Sequence, residues 1–314
     1  MLDSAGRSGP SRRAAAERMA DTVQTVERTS ESPHLRVGER LRVLVAHREI
    51  LANLVRKELK VKYVASVLGA VWSLLNPLVY LAVFTFVTRV LGNGLPDYPV
   101  YLLSGLLAWN LFSASTLGGS RSVIDNANLV KKVAFPREIL PLAAIGVALV
   151  DYGLQMIVLL IFIVATVGLR VPDLALLPLA FAALLMFTCA LTAWIAAVNV
   201  RYRDVGHLLN IGLLVWFWVT PIVYASGLVQ QHLKGQEFLK FLYFCNPLTA
   251  VVEGMHRALY GFQRLPDGRG FVTWDMSLGT LALVLAAVLA ASLIFLRFTW
   301  GSFFARSGDF AEEL

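Results

Sequence analysis

The stretch RKELKVKY at residues 56–63 is separated by only four residues from the uncharged segment Leu68–Thr88. A helix that carries Lys and Arg on one side is typical of the membrane surface. An uncharged apolar run of about 20 residues is long enough to cross a bilayer. Together the two segments predict a cytoplasmic amphipathic helix that lies along the membrane and bends directly into a first membrane span.

The region before this span has the pattern of an amphipathic helix. At helical spacing, five apolar residues share one face: Ile50, Leu51, Leu54, Val55 and Leu59. The basic residues on the other side are Arg56, Lys57 and Lys60, while Arg48 and Lys62 lie nearer the apolar face. Such a helix can bind anionic lipid headgroups, at about 1 kcal/mol per charge. An ordinary juxtamembrane basic cluster is the alternative.

The composition of the whole chain is that of a membrane protein. Its 314 residues are 57% hydrophobic and 16% charged, and the mean hydropathy is +0.65. Soluble domains carry about 25% charged residues. We therefore predict an all-α, multi-pass membrane protein, in which the net charge of +7 reports orientation before it reports partners.

Six runs are long enough to cross the bilayer as helices. They are Leu68–Thr88, Tyr98–Ser120, Ile139–Leu169, Leu174–Val200, Leu208–Val229 and Met276–Leu296. The third contains Asp151, and an acid at this depth is costly and usually faces protein or a water-filled cavity. We expect Asp151 to line a pore, to contact a second copy of the chain, or to hydrogen-bond a neighbouring helix, for example near Tyr152 or Gln155.

A seventh apolar stretch, Phe241–Val252, is too short and too broken by Pro247 to span a membrane. We predict that it forms an outer re-entrant hairpin between spans five and six, continuing through Gly254 to Phe262. The candidate functional residues of this hairpin are Asn246, Pro247 and Gly254, of which Pro247 and Gly254 would supply the breaks.

The distribution of Lys and Arg predicts the orientation, since these residues collect in cytoplasmic loops. With the amino terminus inside, sixteen of them fall in cytoplasmic segments and seven in outer segments. Both termini are therefore expected in the cytoplasm. The predicted parts are a disordered cytoplasmic tail (1–35), an amphipathic interface region (36–67), a six-span domain (68–300) and a short cytoplasmic tail (301–314).

The sequence lacks the motifs of an ATP-hydrolysing or metal-dependent enzyme. It contains no Gly-Lys pair, which excludes a P-loop, and no His-Glu-x-x-His pattern. Cys189 and Cys245 have no neighbours at metal-ligand spacing. One isolated carboxylate, Asp204, is a poor holder for a metal-bound sugar nucleotide. We expect no catalytic residues, no metal site and no cofactor bound by this chain.

Four motifs, in order along residues 45–305, resemble the permease subunit of type-2 ABC exporters, in the branch that exports polysaccharides, O-antigens and teichoic acids. The first joins REIL at 48–51 and RKELKVKY at 56–63 to SVLG at 66–69 and WSLLNPL at 72–78. The others are NLVKKVAFPREILP at 128–141, NVRYRDV at 199–205, and NPLT at 246–249 with YG at 260–261. Each motif alone is weak, whereas four in order among six spans are specific.

This resemblance implies a dimer of the chain with two copies of a separate ATPase subunit, which would bind ATP and Mg²⁺. It also implies a coupling helix that touches the ATPase, at about residues 124–137. The implied contact residues are Asn128, Lys131, Lys132, Phe135, Pro136 and Arg137, with a second contact at Arg201 and Asp204. A plain positive-inside loop and a snorkelling charge cluster are the respective alternatives.

The implied cargo is a lipid-linked polysaccharide or teichoic-type polymer, with an apolar tail, a diphosphate and a hydrophilic glycan. Basic side chains suit the diphosphate, and the candidates at the cytoplasmic entry are Arg56, Lys57, Lys60 and Lys62. The pore candidates are Trp109, Asn110, Phe112, Asp151, Trp216 and Trp218. Aromatic residues also gather at membrane interfaces and in packed cores, and that alternative stays open.

The sequence thus predicts the membrane subunit of an ATP-driven exporter in the cytoplasmic membrane of a bacterium. Its expected partners are a second copy of itself, the ATPase, membrane lipids and the glycan, without nucleic acid. Two alternatives remain: a type-2 exporter of a drug or lipid, and a membrane-embedded enzyme of cell-envelope assembly. The high Ala, Val and Arg content is compatible with a high-GC bacterium, where a cell-wall galactan is a candidate cargo.

Overall fold

The computed structural model describes residues 37–64, 69, 71–91, 95–133, 135–166, 168, 171–202, 204–233, 235–265, 270–307 and 310–313. The chain divides into two units, Met1–Leu41 and Arg42–Leu314, and the side chains discussed below belong to the second. The predicted disordered tail, residues 1–35, lies outside the described residues.

Where the chain is described, its regular secondary structure is helical, and one isolated antiparallel β-bridge joins Arg264 to Phe271. The prediction of an all-α protein is confirmed at this level. The helices are α1 (Val37–Ala46), α2 (Arg48–Val64), α3 (Val71–Leu91), α4 (Tyr98–Asp125), α5 (Ala127–Lys132), α6 (Ile139–Thr166), α7 (Val171–Leu174), α8 (Leu176–Arg201), α9 (Val205–Val219), α10 (Ser226–His232), α11 (Glu237–Phe244), α12 (Pro247–Leu259), α13 (Leu278–Ser307) and α14 (Phe310–Glu313).

Among the described residues, four helices are long and apolar enough to cross a membrane: α4, α6, α8 and α13. They correspond to the second, third, fourth and sixth predicted runs, so the chain is a multi-pass membrane protein. Helix α3 covers most of the first run, Leu68–Thr88. Six complete spans remain a prediction, because the fifth run behaves differently.

The fifth predicted run, Leu208–Val229, is broken near its middle. Helix α9 has 15 residues and ends at Val219, which gives a length of about 22 Å and falls short of a hydrocarbon core of about 30 Å. Pro221 disfavours helical backbone at the residue before it, and Thr220 accordingly is extended, with φ −91° and ψ 136°. The chain turns there and resumes as α10, so the predicted boundary at Val229 was wrong for this helix.

Helix α4 is the centre of the main hydrophobic core. It packs against α6 and α8, and α8 in turn packs against α13. Gly119 of α4 faces Thr192 of α8 so closely that an added Cβ atom would collide with Thr192 Cγ2. A residue without a side chain is therefore needed for these two spans to approach each other.

A second hydrophobic cluster, which we call the loop-end cluster, lies where α2, α5 and the ends of the spans meet. Its buried members are Leu54, Val123, Val130, Ile139, Leu140, Ala143, Ala196, Ala197, Val200, Phe303 and Phe310. Phe310 of α14 packs edge-on against Phe303 of α13, with ring centroids 5.3 Å apart. The segment expected to be a short tail from residue 301 therefore begins inside α13, and its Phe310 is part of the core.

Candidate functional site

Helix α2, which carries the basic stretch, packs along the first half of α6. Leu54 is buried in the loop-end cluster beside Leu140 and Ala143 of α6. Gly146 permits a close approach, since an added Cβ atom there would lie 2.7 Å from Val55 Cγ2. The apolar face of this helix thus packs against protein, and its predicted position along the lipid surface stays a prediction.

Asp151 binds the end of α2. Lys62 Nζ donates a hydrogen bond to Asp151 Oδ2 over 2.5 Å, and the Tyr63 hydroxyl donates one to Oδ1. The side chain of Lys62 is 47% exposed and that of Asp151 only 14%. Partial burial lowers the pKa of Lys62, but the hydrogen bond and the charge of Asp151 outweigh burial, so the pKa lies above its ordinary value. The costly acid in the third span is therefore neutralised by a basic residue of the predicted entry helix.

Two cavities meet at this ion pair. One, of about 330 Å³, is lined by Leu54, Glu58, Asp125 and Asn126 among others. The second, of about 360 Å³, is lined by polar and aromatic side chains that include Trp72, Asn110, Ser113, Tyr152 and Gln155. Lys62, Ala114, Ala148 and Asp151 line both. The Lys62–Asp151 pair is thus part of the boundary between the two cavities.

The other predicted entry residues, Arg56, Lys57 and Lys60, are exposed on α2. Lys57 Nζ lies 3.4 Å from Glu58 Oε1 and 3.5 Å from Asn126 Oδ1, at the start of α5. All four candidates are therefore exposed, and Lys62 differs from the other three in that it also lines the two cavities.

Within residues 124–137, where a coupling helix was expected, the structure has the short helix α5, and its coupling role stays a prediction. Val130 anchors it in the loop-end cluster, while Lys131 and Lys132 in its last turn are exposed. Of the remaining predicted contact residues, Asn128 is exposed, Pro136 is buried, and Phe135 and Arg137 are half-buried. Partial burial lowers the pKa of Arg137, which the adjacent carboxylate of Glu138 opposes. The segment therefore exposes one amide and two ammonium groups on a helix that Val130 attaches to the loop-end cluster.

Asn199 connects the two loops that carry the predicted ATPase contacts. Its side-chain amide donates a hydrogen bond to the carbonyl of Ser120 in α4 over 2.8 Å, and its Oδ1 accepts one from the backbone N–H of Gly206 in α9 over 3.1 Å. Asn199 itself is only 2% exposed. The loop that follows α4 and the loop that follows α8 therefore lie at the same end of the bundle. Sequence analysis noted Asn199 only as part of a motif.

The second predicted contact, Arg201 and Asp204, lies in that loop. Both residues are exposed. The Arg201 guanidinium lies 5.7 Å from the ring centroid of Tyr202, which is also exposed. These side chains are positioned on the same end of the molecule as α5, and their role in binding a partner is a prediction.

Three predicted pore aromatics lie in the main core instead. Phe112 is fully buried, with ring centroids 5.6 Å from Trp109 and 5.3 Å from Trp216. Trp216 also donates its indole N–H to Asn246 Oδ1 over 2.9 Å. Core packing, the alternative left open by the sequence, describes these three residues. Trp218 is 55% exposed and Asn110 lines a cavity, so these two keep their candidacy.

In the segment predicted to be a re-entrant hairpin, the structure has two helices, α11 and α12, with a break at Cys245 and Asn246. A re-entrant position in the membrane stays a prediction. Asn246 caps α12 by accepting a hydrogen bond from the N–H of Leu248 over 3.1 Å, and Pro247 is the first helical residue, where its missing N–H costs nothing. Gly254 does not break the chain as predicted, because it lies inside α12. An added Cβ atom there would lie 2.9 Å from Leu285 Cδ1 and 3.0 Å from Ala180 Cβ, so Gly254 serves close packing.

Two charged residues of α12 were missed by the sequence analysis. Glu253 is fully buried and accepts a hydrogen bond from the backbone N–H of Trp274 over 2.9 Å. Arg257 Nε lies 3.3 Å from Asp173 Oδ1, and its guanidinium lies 3.9 Å from the ring of Phe262. Both attach α12 to segments before and after it, which no local pattern indicates.

Among the residues that the structure describes, no group of three or more His, Cys, Asp or Glu side chains could hold a metal ion. The arrangement contains a basic helix, two cavities, an exposed loop helix and the buried helix α12. A model of the ABC-2 type transporter family matches residues 50–260. The chain belongs to this family.

Curated relatives agree with this membership. The ABC-2 transporter chain is 31% identical over 278 residues to the O-antigen export system permease protein RfbA of Myxococcus xanthus, which covers 87% of this chain and 98% of the relative. Two RfbA permeases of Klebsiella pneumoniae are each 29% identical over 208 residues, which cover 65% of this chain and 77% of each relative. As a membrane component of an ABC transporter, the chain works with an ATPase partner and carries out transport.

Proposed function

We propose that this chain is the membrane subunit of an ABC exporter that moves a lipid-linked polysaccharide out of a bacterial cytoplasm, across the cytoplasmic membrane. The observation that carries the proposal is the similarity to the Myxococcus xanthus permease, which extends over nearly the full length of that protein. The cavity of about 360 Å³ beside Lys62 is lined by polar and aromatic side chains, which supports a polar cargo over an apolar drug.

The proposed topology has six spans, both termini in the cytoplasm and the α11–α12 hairpin at the outer face. The excess of Lys and Arg in segments 36–62 and 121–137 supports this orientation. Helix α9 would complete its crossing with the help of the irregular segment that follows it. Non-helical backbone at that depth is tolerated where protein covers it, and the Tyr101 hydroxyl donates to the carbonyl of Tyr224 over 2.7 Å there.

The proposed assembly contains two copies of this chain and two ATPase subunits, which would bind ATP and Mg²⁺. An apolar face of α9 supports a contact with the second copy or lipid, since Leu208, Ile211 and Leu214 are largely exposed. The ATPase would bind the surface formed by Asn128, Lys131 and Lys132 together with Arg201 and Asp204. Phe135, Pro136 and Arg137 would position this surface from within the loop.

The proposed cargo path begins at α2. Arg56, Lys57 and Lys60 would attract the diphosphate of the cargo to the surface, and Lys62 would receive it at the cavities. Asn110, Asp151 and Trp218 are the pore candidates that remain accessible in the structure. A teichoic-type polymer or a cell-wall galactan would satisfy the same chemistry, because each is assembled on a lipid diphosphate.

Deletion of the gene tests the proposal. We expect a lipid-linked glycan to accumulate on the cytoplasmic side, and mass spectrometry of extracted lipids would identify it. Accumulation of a phospholipid, or drug sensitivity without any glycan, would favour the alternative exporter. Full function of the chain without any ATPase would contradict the exporter assignment altogether.

A further inference from the structure

The carboxylate of Asp151 accepts hydrogen bonds from two side chains whose donor groups can also bind other anions. Lys62 donates to one oxygen of its carboxylate and Tyr63 to the other, so two adjacent residues of α2 hold both oxygens of a single acid. Phosphate oxygens accept the same charge-assisted hydrogen bonds. The carboxylate therefore lies where two oxygens of a phosphate group would bind.

The two cavities beside this pair differ in what they offer to an anion. The cavity of about 330 Å³ has Glu58 and Asp125 in its lining, and both carboxylates repel negative charge. The lining of the cavity of about 360 Å³ includes the polar residues Asn110, Ser113 and Gln155. Among its lining residues the acid is Asp151 itself. An anion that displaces Asp151 is therefore accommodated in the second cavity.

We propose that this second cavity binds the diphosphate of a lipid-linked cargo, and that Asp151 is a built-in competitor that holds Lys62 and Tyr63 until the diphosphate displaces it. The inference rests on the proposed function and adds to it a binding site and a basis for selectivity. A diphosphate brings more charge and more acceptor oxygens than the carboxylate that it replaces. A phospholipid phosphodiester brings one negative charge, as the carboxylate does, and gains little by displacing it.

The test measures binding of a polyprenyl diphosphate to the full-length chain, purified with its ATPase partner in phosphatidylcholine nanodiscs. The variants are Asp151→Asn, Lys62→Gln, the double variant, and Arg48→Gln as the control, because Arg48 is an exposed cation of the same helix that lines neither cavity. We expect Asp151→Asn to bind on the order of tenfold more tightly and Lys62→Gln on the order of tenfold more weakly, with Arg48→Gln like the wild type.

In the binding measurements, the inference is overturned by a folded Asp151→Asn variant that binds no more tightly than wild type, or by a Lys62→Gln variant that binds as well as Arg48→Gln. The comparison of Lys62→Gln with Arg48→Gln does not depend on whether Asp151→Asn folds. The double variant removes both charges of the ion pair, so neither charge is left without its partner. Phosphatidylglycerol added to the nanodiscs should compete in Asp151→Asn and not in wild type. Equal competition in wild type would make this a general lipid-headgroup site and would also overturn the inference.

The outcomes separate this site from the function on which it rests. If gene deletion blocks glycan export while the substitutions at Lys62 and Asp151 leave diphosphate binding unchanged, the proposed site is wrong and the proposed function stands. If the variants bind as expected while gene deletion leaves glycan export intact, the site stands as a diphosphate site and the proposed function fails.

Discussion

The side-chain amide of Asn199 donates a hydrogen bond to the backbone carbonyl of Ser120, 2.8 Å away and 79 residues earlier in the chain. Its side-chain oxygen, Oδ1, accepts a hydrogen bond from the backbone N–H of Gly206. One buried side chain thereby fixes the spacing between the ends of α4 and α8 and the start of α9. The two loops proposed to contact the ATPase are held at a constant distance by this residue.

Replacing Asn199 by Ala should leave the Ser120 carbonyl and the Gly206 N–H without this partner. Each buried polar group left unsatisfied costs about 1–3 kcal/mol, so we expect a lower midpoint of thermal unfolding and weaker stimulation of the ATPase by the membrane subunit. Asn199→Asp should keep the acceptor for Gly206 but place a buried carboxylate oxygen against the Ser120 carbonyl, so we expect it to be at least as destabilising. Asn53→Ala, at an exposed position of α2, is the control. Unchanged unfolding in Asn199→Ala would show that the two bonds contribute nothing.

Reversing the charges of Lys131 and Lys132 should weaken binding of the ATPase subunit without affecting insertion of the chain. Both side chains are exposed at the end of α5, while Val130 keeps the helix anchored. Charges at the rim of an interface act mainly on association, and we expect affinity to fall about tenfold in a pull-down titration at low salt. Lys240→Glu on α11 is the matched control. Equal affinity of all variants would exclude α5 from the interface.

Gly254→Ala should destabilise the hairpin. The new methyl group would meet Leu285 and Ala180 at about 3 Å, and overpacking of this kind costs about 1–3 kcal/mol, of which the better helix propensity of Ala recovers at most about 1. Gly279→Ala is the control, because its nearest neighbour is the Ser277 hydroxyl at 3.9 Å. Thermal unfolding of both variants in detergent measures the difference. A Gly254→Ala variant as stable as Gly279→Ala would mean that α8 and α13 move apart at no cost.

The ion pair of Lys62 should stabilise the fold up to strongly alkaline pH. The pKa of Lys62 is raised above 10.5 in the folded state, so the charged form is favoured by folding. Its contribution is complete below the unfolded pKa and is lost as the pH rises through the raised value. We expect the difference in unfolding midpoint between wild type and Lys62→Gln to stay constant from neutral pH to about pH 10 and then to shrink. A difference that disappears near neutral pH would contradict this assignment.

The sequence indicated the main helices because crossing a membrane requires about 20 apolar residues, a pattern visible without knowledge of contacts. The sequence did not show where α9 ends. The Thr220–Pro221 pair marks the place, but the residues on both sides of it are apolar, and apolar residues are compatible both with a span and with the turn that follows it. A short helix with exposed lysines between two spans was expected, and α5 has this form, while its contact with the ATPase stays a prediction.

The partners of individual polar residues were beyond the sequence. Asp151 pairs with residues 88 and 89 positions earlier, a distance at which no periodicity relates two side chains. Phe112 and Trp109 could not be distinguished from pore residues, because core, lipid and pore positions in a membrane helix all accept aromatic rings. Gly254 looked like a break because glycine disfavours helix, whereas its small volume was the deciding property.

The contact of Gly119 with Thr192 has a mechanical consequence. Two helices that meet with no room for a methyl group cannot rotate or slide past each other without opening a gap in a close-packed interior. We therefore expect helices α4 and α8 to move together as one rigid unit during transport. On that expectation, the displacement driven by ATP hydrolysis involves the elements that pack around this unit: α2, which binds Asp151, and the short, largely exposed α9.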